Sequence, residues 1–149
     1  MAAQDVRIQA ENFDIGAETA ALTAGRVDAG AVVTFLGRVR GGDDLKSMRL
    51  EHYPAMTARE IERHVEEAKQ RWPLLCVHVI HRIGELAPGE NIVFVGVASD
   101  HRQAAFEAAD FLMDYLKTSA PFWKFEQRGD GGNWVEARAE DDDALKRWR

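Results

Sequence analysis

Two lysines, Lys117 and Lys124, flank a proline break at Pro121 in the stretch SDHRQAAFEAADFLMDYLKTSAPFWKFE, residues 99–126. An amine held near other cations and away from water loses proton affinity, and then serves as acid, base or nucleophile. The same stretch opens with His101 and Arg102, at the positive end of a predicted helix dipole, where a bound anion is favoured. Arg38 and Arg40 close an earlier apolar block, and Arg138 sits in WVEAR towards the end of the chain. If these cations converge, they form a pocket for a phosphate or carboxylate. If they do not, His101 and Arg102 are simply solvated and Lys117 interacts with the last carbonyls of its helix. Spacing alone leaves both readings open.

The elements that must position these groups are legible in outline. Asp100 is placed to cap a helix, with Gln103 in capping-box position. Ala105, Ala109, Leu112 and Leu116 make its buried stripe, which Phe106 and Met113 widen, while Asp110, Asp114 and Lys117 fall opposite. Gly30 to Arg40, GAVVTFLGRVR, reads as a strand whose cationic tip carries Arg38 and Arg40 on one side. The polar loop Gly41 to Asp44 follows, and Met48 to Tyr53 is expected to pair with the preceding strand. Val6 to Ala10 reads as a first short strand and Gly16 to Ala24 as a weak helix. A second clear helix opens at Thr57, with a Thr57–Glu60 capping box and a Met56–Ile61 staple; Ile61, Val65, Ala68 and Trp72 form its stripe and Pro73 ends it. His64, among charged neighbours on that helix, is expected at the surface.

Leu75 to Ile83 and Ile92 to Ala98 are apolar strands joined by GELAPGEN, whose Pro88-Gly89 pair signals a turn. His78 and His81 point to opposite faces of the first of these and cannot share a metal. Lys124 to Arg128 and Trp134 to Arg138 read as a hairpin around GDGGN. The tail DDDALKRWR is expected to form a last helical turn, with Leu145 and Trp148 packing inward. Hairpin-length connections predict α+β with a mixed or antiparallel sheet.

The totals bound the function. At 149 residues the chain fits one domain, 1–149. A net charge of −6 argues against a nucleic-acid surface spread over the whole protein. The single cysteine, Cys76, rules out an internal disulfide framework and a cysteine zinc site, and its apolar setting, LLCVHVI, makes it a small core residue. No apolar run reaches the length of a membrane span and no signal-peptide core opens the chain, so a cytoplasmic protein without a membrane partner is expected. GxSxG, P-loop, dinucleotide and HExxH patterns are all missing; neither a cofactor nor a metal is expected.

The ordered strings FLGRVR, LEHYPAMT, RWPL, IHRIGEL, PGENIVFVGVAS, HRQAAFEA, FLMDYLKTSAPFWK and WVEAR resemble the large, catalytic subunit of molybdopterin synthase from about Gly30 to Trp148. The resemblance implies an α/β hammerhead-type core with an added β-rich part. It further implies a homodimer at the centre of a heterotetramer, with a small ubiquitin-like subunit at each end. The implied reaction builds the dithiolene of molybdopterin from cyclic pyranopterin monophosphate. Its sulfur comes from the C-terminal thiocarboxylate of the small subunit's Gly-Gly tail.

Carried over by motif, Lys117 in YLKT and Lys124 in FWK are the catalytic residues. The resemblance gives Lys117 proton transfer at the pterin carbon and contact with the thiocarboxylate or its acyl adduct. It gives Lys124 the developing negative charge and the opening of the cyclic phosphate. Arg38, Val39, Arg40, His101, Arg102, Phe125, Glu126 and Arg138 match substrate-binding positions, Arg138 either in its own or across a dimer. Phe35 and Pro121-Phe122-Trp123 would wall the pocket. Members of the family often carry lysine where this chain has Arg38 and a second basic residue where it has Phe125; arginine clamps an anion but does not shuttle protons. The competing expectation is a non-catalytic scaffold that docks a ubiquitin-like sulfur carrier.

Overall fold

The structure, a computed structural model, describes residues 5–118, 120–129, 131–135 and 145–148. In chain order the elements are β1 (Val6–Gln9), α1 (Ile15–Ala21), β2 (Ala31–Arg38), β3 (Ser47–His52), α2 (Met56–Arg71) and β4 (Leu74–Arg82). There follow β5 (Gly84–Leu86), β6 (Asn91–Ser99), α3 (Arg102–Thr118), β7 (Phe122–Arg128) and β8 (Gly131–Val135). They build two four-stranded sheets, in the orders β1-β4-β6-β2 and β5-β3-β7-β8. In the first, β1 runs parallel to β4 and the other pairs are antiparallel. The second is antiparallel throughout. The α+β class with a mixed sheet and an added β-rich part is therefore as the sequence predicts.

The apolar character of β4 and β6 follows from cover on both faces. On one side Val77, Val79, Val93, Val95 and Val97 pack with Ile61 and Val65 of α2 and with Ala105, Ala108, Phe111 and Leu112 of α3. On the other, Ile80, Phe94 and Ala98 meet Phe13 and Leu22. A Cβ at Gly96 would lie 2.6 Å from Leu22 Cδ1, so glycine is what allows the segment after α1 to approach β6. The last turn docks as expected: Leu145 is buried, and the Trp148 ring lies 5.5 Å from Phe111 and 5.7 Å from Trp72. Among the described residues no helix is long and apolar enough to cross a membrane.

Four expectations are corrected. β3 does not pair with β2; it lies between β5 and β7 in the second sheet, burying Met48 and Leu50 against Val39 and Leu86. The capping box at Thr57 is absent. α2 begins at Met56, after Ala55 at φ 67°, and no side chain caps it. Thr57 Oγ1 instead accepts from Tyr53 N at 3.0 Å and donates to the Pro121 carbonyl at 3.1 Å, tying α2 to the proline break. His64 is buried at 4% exposure, because Ile61, His64, Val65 and Ala68 share one helical face, and its ring stacks on Tyr115 at 3.9 Å. Phe106 is 61% exposed, outside the stripe, and Phe111 supplies the buried aromatic of α3.

Candidate active site

The two sheets share no strand, and the last turn of α3 lines the cleft between them. Its volume is about 430 Å³. Arg38 of β2, His81 of β4 and Ile92 of β6 line it from the first sheet; Met48 and Leu50 of β3, and Phe122, Lys124, Glu126 and Arg128 of β7, from the second. Leu116, Lys117 and Thr118 of α3, Ala120, Val135 of β8 and the segment Arg40–Asp43 also line it.

The local fold explains how two lysines seven positions apart reach one cleft. Pro121 has no N–H to continue the helix. The chain turns out of α3 through Ala120 N donating to Tyr115 O (3.2 Å) and Phe122 N to Ala120 O (2.8 Å). Lys117 therefore sits on the last helical turn, and Lys124 on the strand that follows. Alternation along β7 puts Phe122, Lys124, Glu126 and Arg128 on the cleft face. Trp123 and Phe125 consequently face the other way, Phe125 edge-on to Trp134 at 5.1 Å with the Arg49 guanidinium 5.2 Å above its ring.

Of the residues singled out in the sequence, Arg38, Arg40, Lys117, Phe122, Lys124 and Glu126 are brought together here, whereas Phe35, Pro121 and Trp123 do not line the cleft. Arg38 Nη2 donates to the Gly89 carbonyl at 2.7 Å. Val39 does not present its side chain: it is 1% exposed, with its N–H on Glu90 O and its carbonyl on Gly89 N, both at 2.8 Å. His101 and Arg102 are exposed at the opposite end of α3, about 22 Å from Lys117 at 1.5 Å per residue, and do not line the cleft of their own chain. Arg138 lies outside the described residues.

Arg128 and His81 also line the cleft, and the sequence assigns neither a role in the site. Arg128 binds Glu126 Oε2 at 3.1 Å and the Asp43 carbonyl at 2.6 Å, fastening the loop after Arg40 to β7. His81 Nδ1 is 2.8 Å from the Arg82 carbonyl, and its ring lies parallel to Phe122 at 3.8 Å. Burial pushes its pKa down to about 4, and the positive charge of Lys117 adds to the fall, so the ring is neutral. The alternation of Val77, Val79 and His81 along β4 was the signal available for it. Among the described residues Arg38, Arg40, Lys117, Lys124 and Arg128 stand against Asp43 and Glu126, a cationic lining in a chain of net charge −6. Such a surface suits an anion.

Cys76 takes no part. It is half-buried, Sγ lies 3.4 Å from His78 Nε2, and burial pushes its thiol pKa up, the opposite of what a nucleophile needs. Among the described residues no group of histidine, cysteine or carboxylate side chains could hold a metal ion.

The family profile described as MoaE protein matches residues 8–119. The chain belongs to the MoaE family. Among its MoaE relatives, the molybdopterin synthase catalytic subunit of Mesorhizobium japonicum is 59% identical over 150 aligned residues, covering 99% of this chain and 94% of that one. The solved MoaE protein of Burkholderia ambifaria, described as a molybdopterin biosynthesis protein, superposes with a TM-score of 0.84 at 48% identity over 98% of both chains. A more distant structure is the complex of subunits 1 and 2 of molybdopterin-converting factor from Helicobacter pylori. It shares the fold at TM-score 0.77 and 20% identity, over 91% of this chain and 92% of that one.

Proposed function

We propose that this chain is the catalytic subunit of a molybdopterin synthase. In this reading it transfers sulfur from the thiocarboxylate tail of a small ubiquitin-like subunit to cyclic pyranopterin monophosphate, in the cytoplasm and without a nucleic-acid or membrane partner. The observation that carries it is Lys117 and Lys124, on different elements, lining one cationic cleft. A volume of about 430 Å³ is in the range for a small-molecule ligand. Arg38 and Arg40 clamp the phosphate. Lys117 moves the proton at the pterin carbon that receives sulfur and meets the thiocarboxylate or its acyl adduct. Lys124 stabilises negative charge as the cyclic phosphate opens. With Cys76 inert, the sulfur comes from outside the chain, and two tails are consumed for the two sulfurs of each dithiolene.

A homodimer supplies the remaining cations. β2 is an edge strand of its sheet, with Val32 and Phe35 exposed along it. Gly30 N donates to Ser99 O at 3.0 Å, which sets one end of β2 beside the start of α3, while Arg38 at the other end opens on the cleft. Antiparallel pairing of two β2 edges about a two-fold axis carries His101 and Arg102 of each copy towards the Arg38 end of the other.

The test is molybdopterin formation from the cyclic pyranopterin and a thiocarboxylated small subunit. Lys117→Ala and Arg102→Ala are each expected to be inactive while still binding the small subunit. Re-equilibrated one to one, they regain about a quarter of wild-type turnover, since half the dimers then hold one intact site of two. Near-normal turnover of Lys117→Ala refutes the catalytic assignment, and failure of the mixture to recover refutes the shared site.

A further inference from the structure

The cations of the cleft share a chemical limit: lysine and arginine donate hydrogen bonds and accept none. A pterin brings its own donors, the ring N–H and amino groups, and a donor left unmatched in a closed site weakens binding. Among the described side-chain acceptors of the wall, Glu126 is held by Arg128 at 3.1 Å, and Thr118 Oγ1 donates its proton to the Asp114 carbonyl of its own helix at 2.7 Å, keeping its lone pairs on a hydroxyl drawn back against that helix. A carboxylate would in any case be drawn to the lysines. What the donor edge needs is an acceptor without charge, fixed in orientation.

His81 meets that description. It is 8% exposed and lines the cleft on the face of β4 turned towards α3. With the Arg82 carbonyl accepting from Nδ1–H at 2.8 Å, the neutral ring has its lone pair on Nε2. The parallel Phe122 ring at 3.8 Å prevents the imidazole from turning. Three histidines are buried, and the other two differ: both nitrogens of His64 and Nδ1 of His78 are enclosed without a partner, whereas neither nitrogen of His81 is. A ring needed only for stacking on Phe122 would be served as well by phenylalanine, without the desolvation of two nitrogens.

We infer that His81 is a substrate-binding residue, its Nε2 accepting a hydrogen bond from an N–H of the pterin while the arginines hold the phosphate end. The inference rests on the function proposed above and adds the group that reads the pterin's donor edge.

Two substitutions separate acceptor from packing. His81→Phe keeps a flat ring against Phe122 and deletes the acceptor; His81→Gln keeps an uncharged acceptor and deletes the ring. Affinity of the purified complex for cyclic pyranopterin monophosphate is measured by titration calorimetry, and turnover under saturating substrate in parallel. His81→Phe is expected to weaken pterin binding about tenfold, with KM rising by the same factor and kcat changing far less. His81→Gln is expected to stay within about threefold of wild type in affinity. Wild-type affinity in folded His81→Phe overturns the inference. Should that variant not fold, a tenfold loss in folded His81→Gln overturns it as well. If wild type binds the pterin but makes no molybdopterin, the proposed function fails while the His81 measurement still stands.

Discussion

Acid should undo this fold in a way that one residue makes measurable. His81 is 8% exposed, and burial together with the charge of Lys117 holds its pKa at about 4, against an ordinary value of 6.5. The unfolded chain therefore takes up this proton before the folded one does. The associated stability is intact above about pH 6.5 and is lost as the pH falls towards 4. At pH 5 the unfolded histidine is almost fully protonated and the folded one almost fully neutral, which costs about 2 kcal/mol, or roughly thirtyfold in the unfolding constant. His64 and His78, whose pKa values burial also lowers, act in the same direction. The contribution of His81 is isolated by comparing wild type with His81→Gln in urea unfolding at pH 7 and pH 5. Wild type should lose about 2 kcal/mol more than the variant between the two. Parallel losses would show that the imidazole is protonated, or reached by water, in the folded protein, and the reasoning would be wrong.

Two further outcomes bear on the site and on the core. Arg40→Ala should raise KM for the pyranopterin about tenfold, the scale of one charge-assisted hydrogen bond, and leave kcat nearly unchanged; steady-state kinetics with a saturating small subunit decide this, and an unchanged KM removes Arg40 from the clamp. Phe111→Ala should cost about 3–5 kcal/mol, because the ring is fully buried and touches Trp72, Tyr115 and Trp148. Urea denaturation reads it, and a loss under about 1 kcal/mol would mean that the cluster collapses to fill the gap.

Most elements of the fold could be read from periodicity and punctuation, but their partners could not. Met48 and Leu50 announced a strand with one buried face; nothing local said that the face belonged to a second sheet with β7, some seventy positions away. His64 shows a different loss. Its spacing from Ile61 and Ala68 placed it on the buried face, and the charges of Glu60, Arg63 and Glu67 around it outweighed a signal that was present. The cationic site was legible as a set of residue types and only partly as a place. His101 and Arg102 share a stretch with Lys117, yet they stand at opposite ends of a helix of 17 residues. Strand alternation, applied to Lys124, already excluded Phe125 from the same wall. His81 pairs with no second ligand, since His78 lies on the opposite face of β4, and a lone neutral acceptor leaves no motif.

The four tryptophans carry a consequence for how this protein is watched in solution. Trp72 and Trp148 meet edge-on at 5.7 Å over Phe111, within the core that the C-terminal turn closes. Trp123 and Trp134 are 43% and 52% exposed on the outer side of the second sheet, directly behind the strands that wall the cleft. Intrinsic fluorescence is thus two signals in one spectrum: a half-buried pair emitting at shorter wavelength, and a more exposed pair open to iodide. Detachment of the C-terminal turn should redden the first, whereas a tail threading into the cleft should disturb the second and leave the first alone.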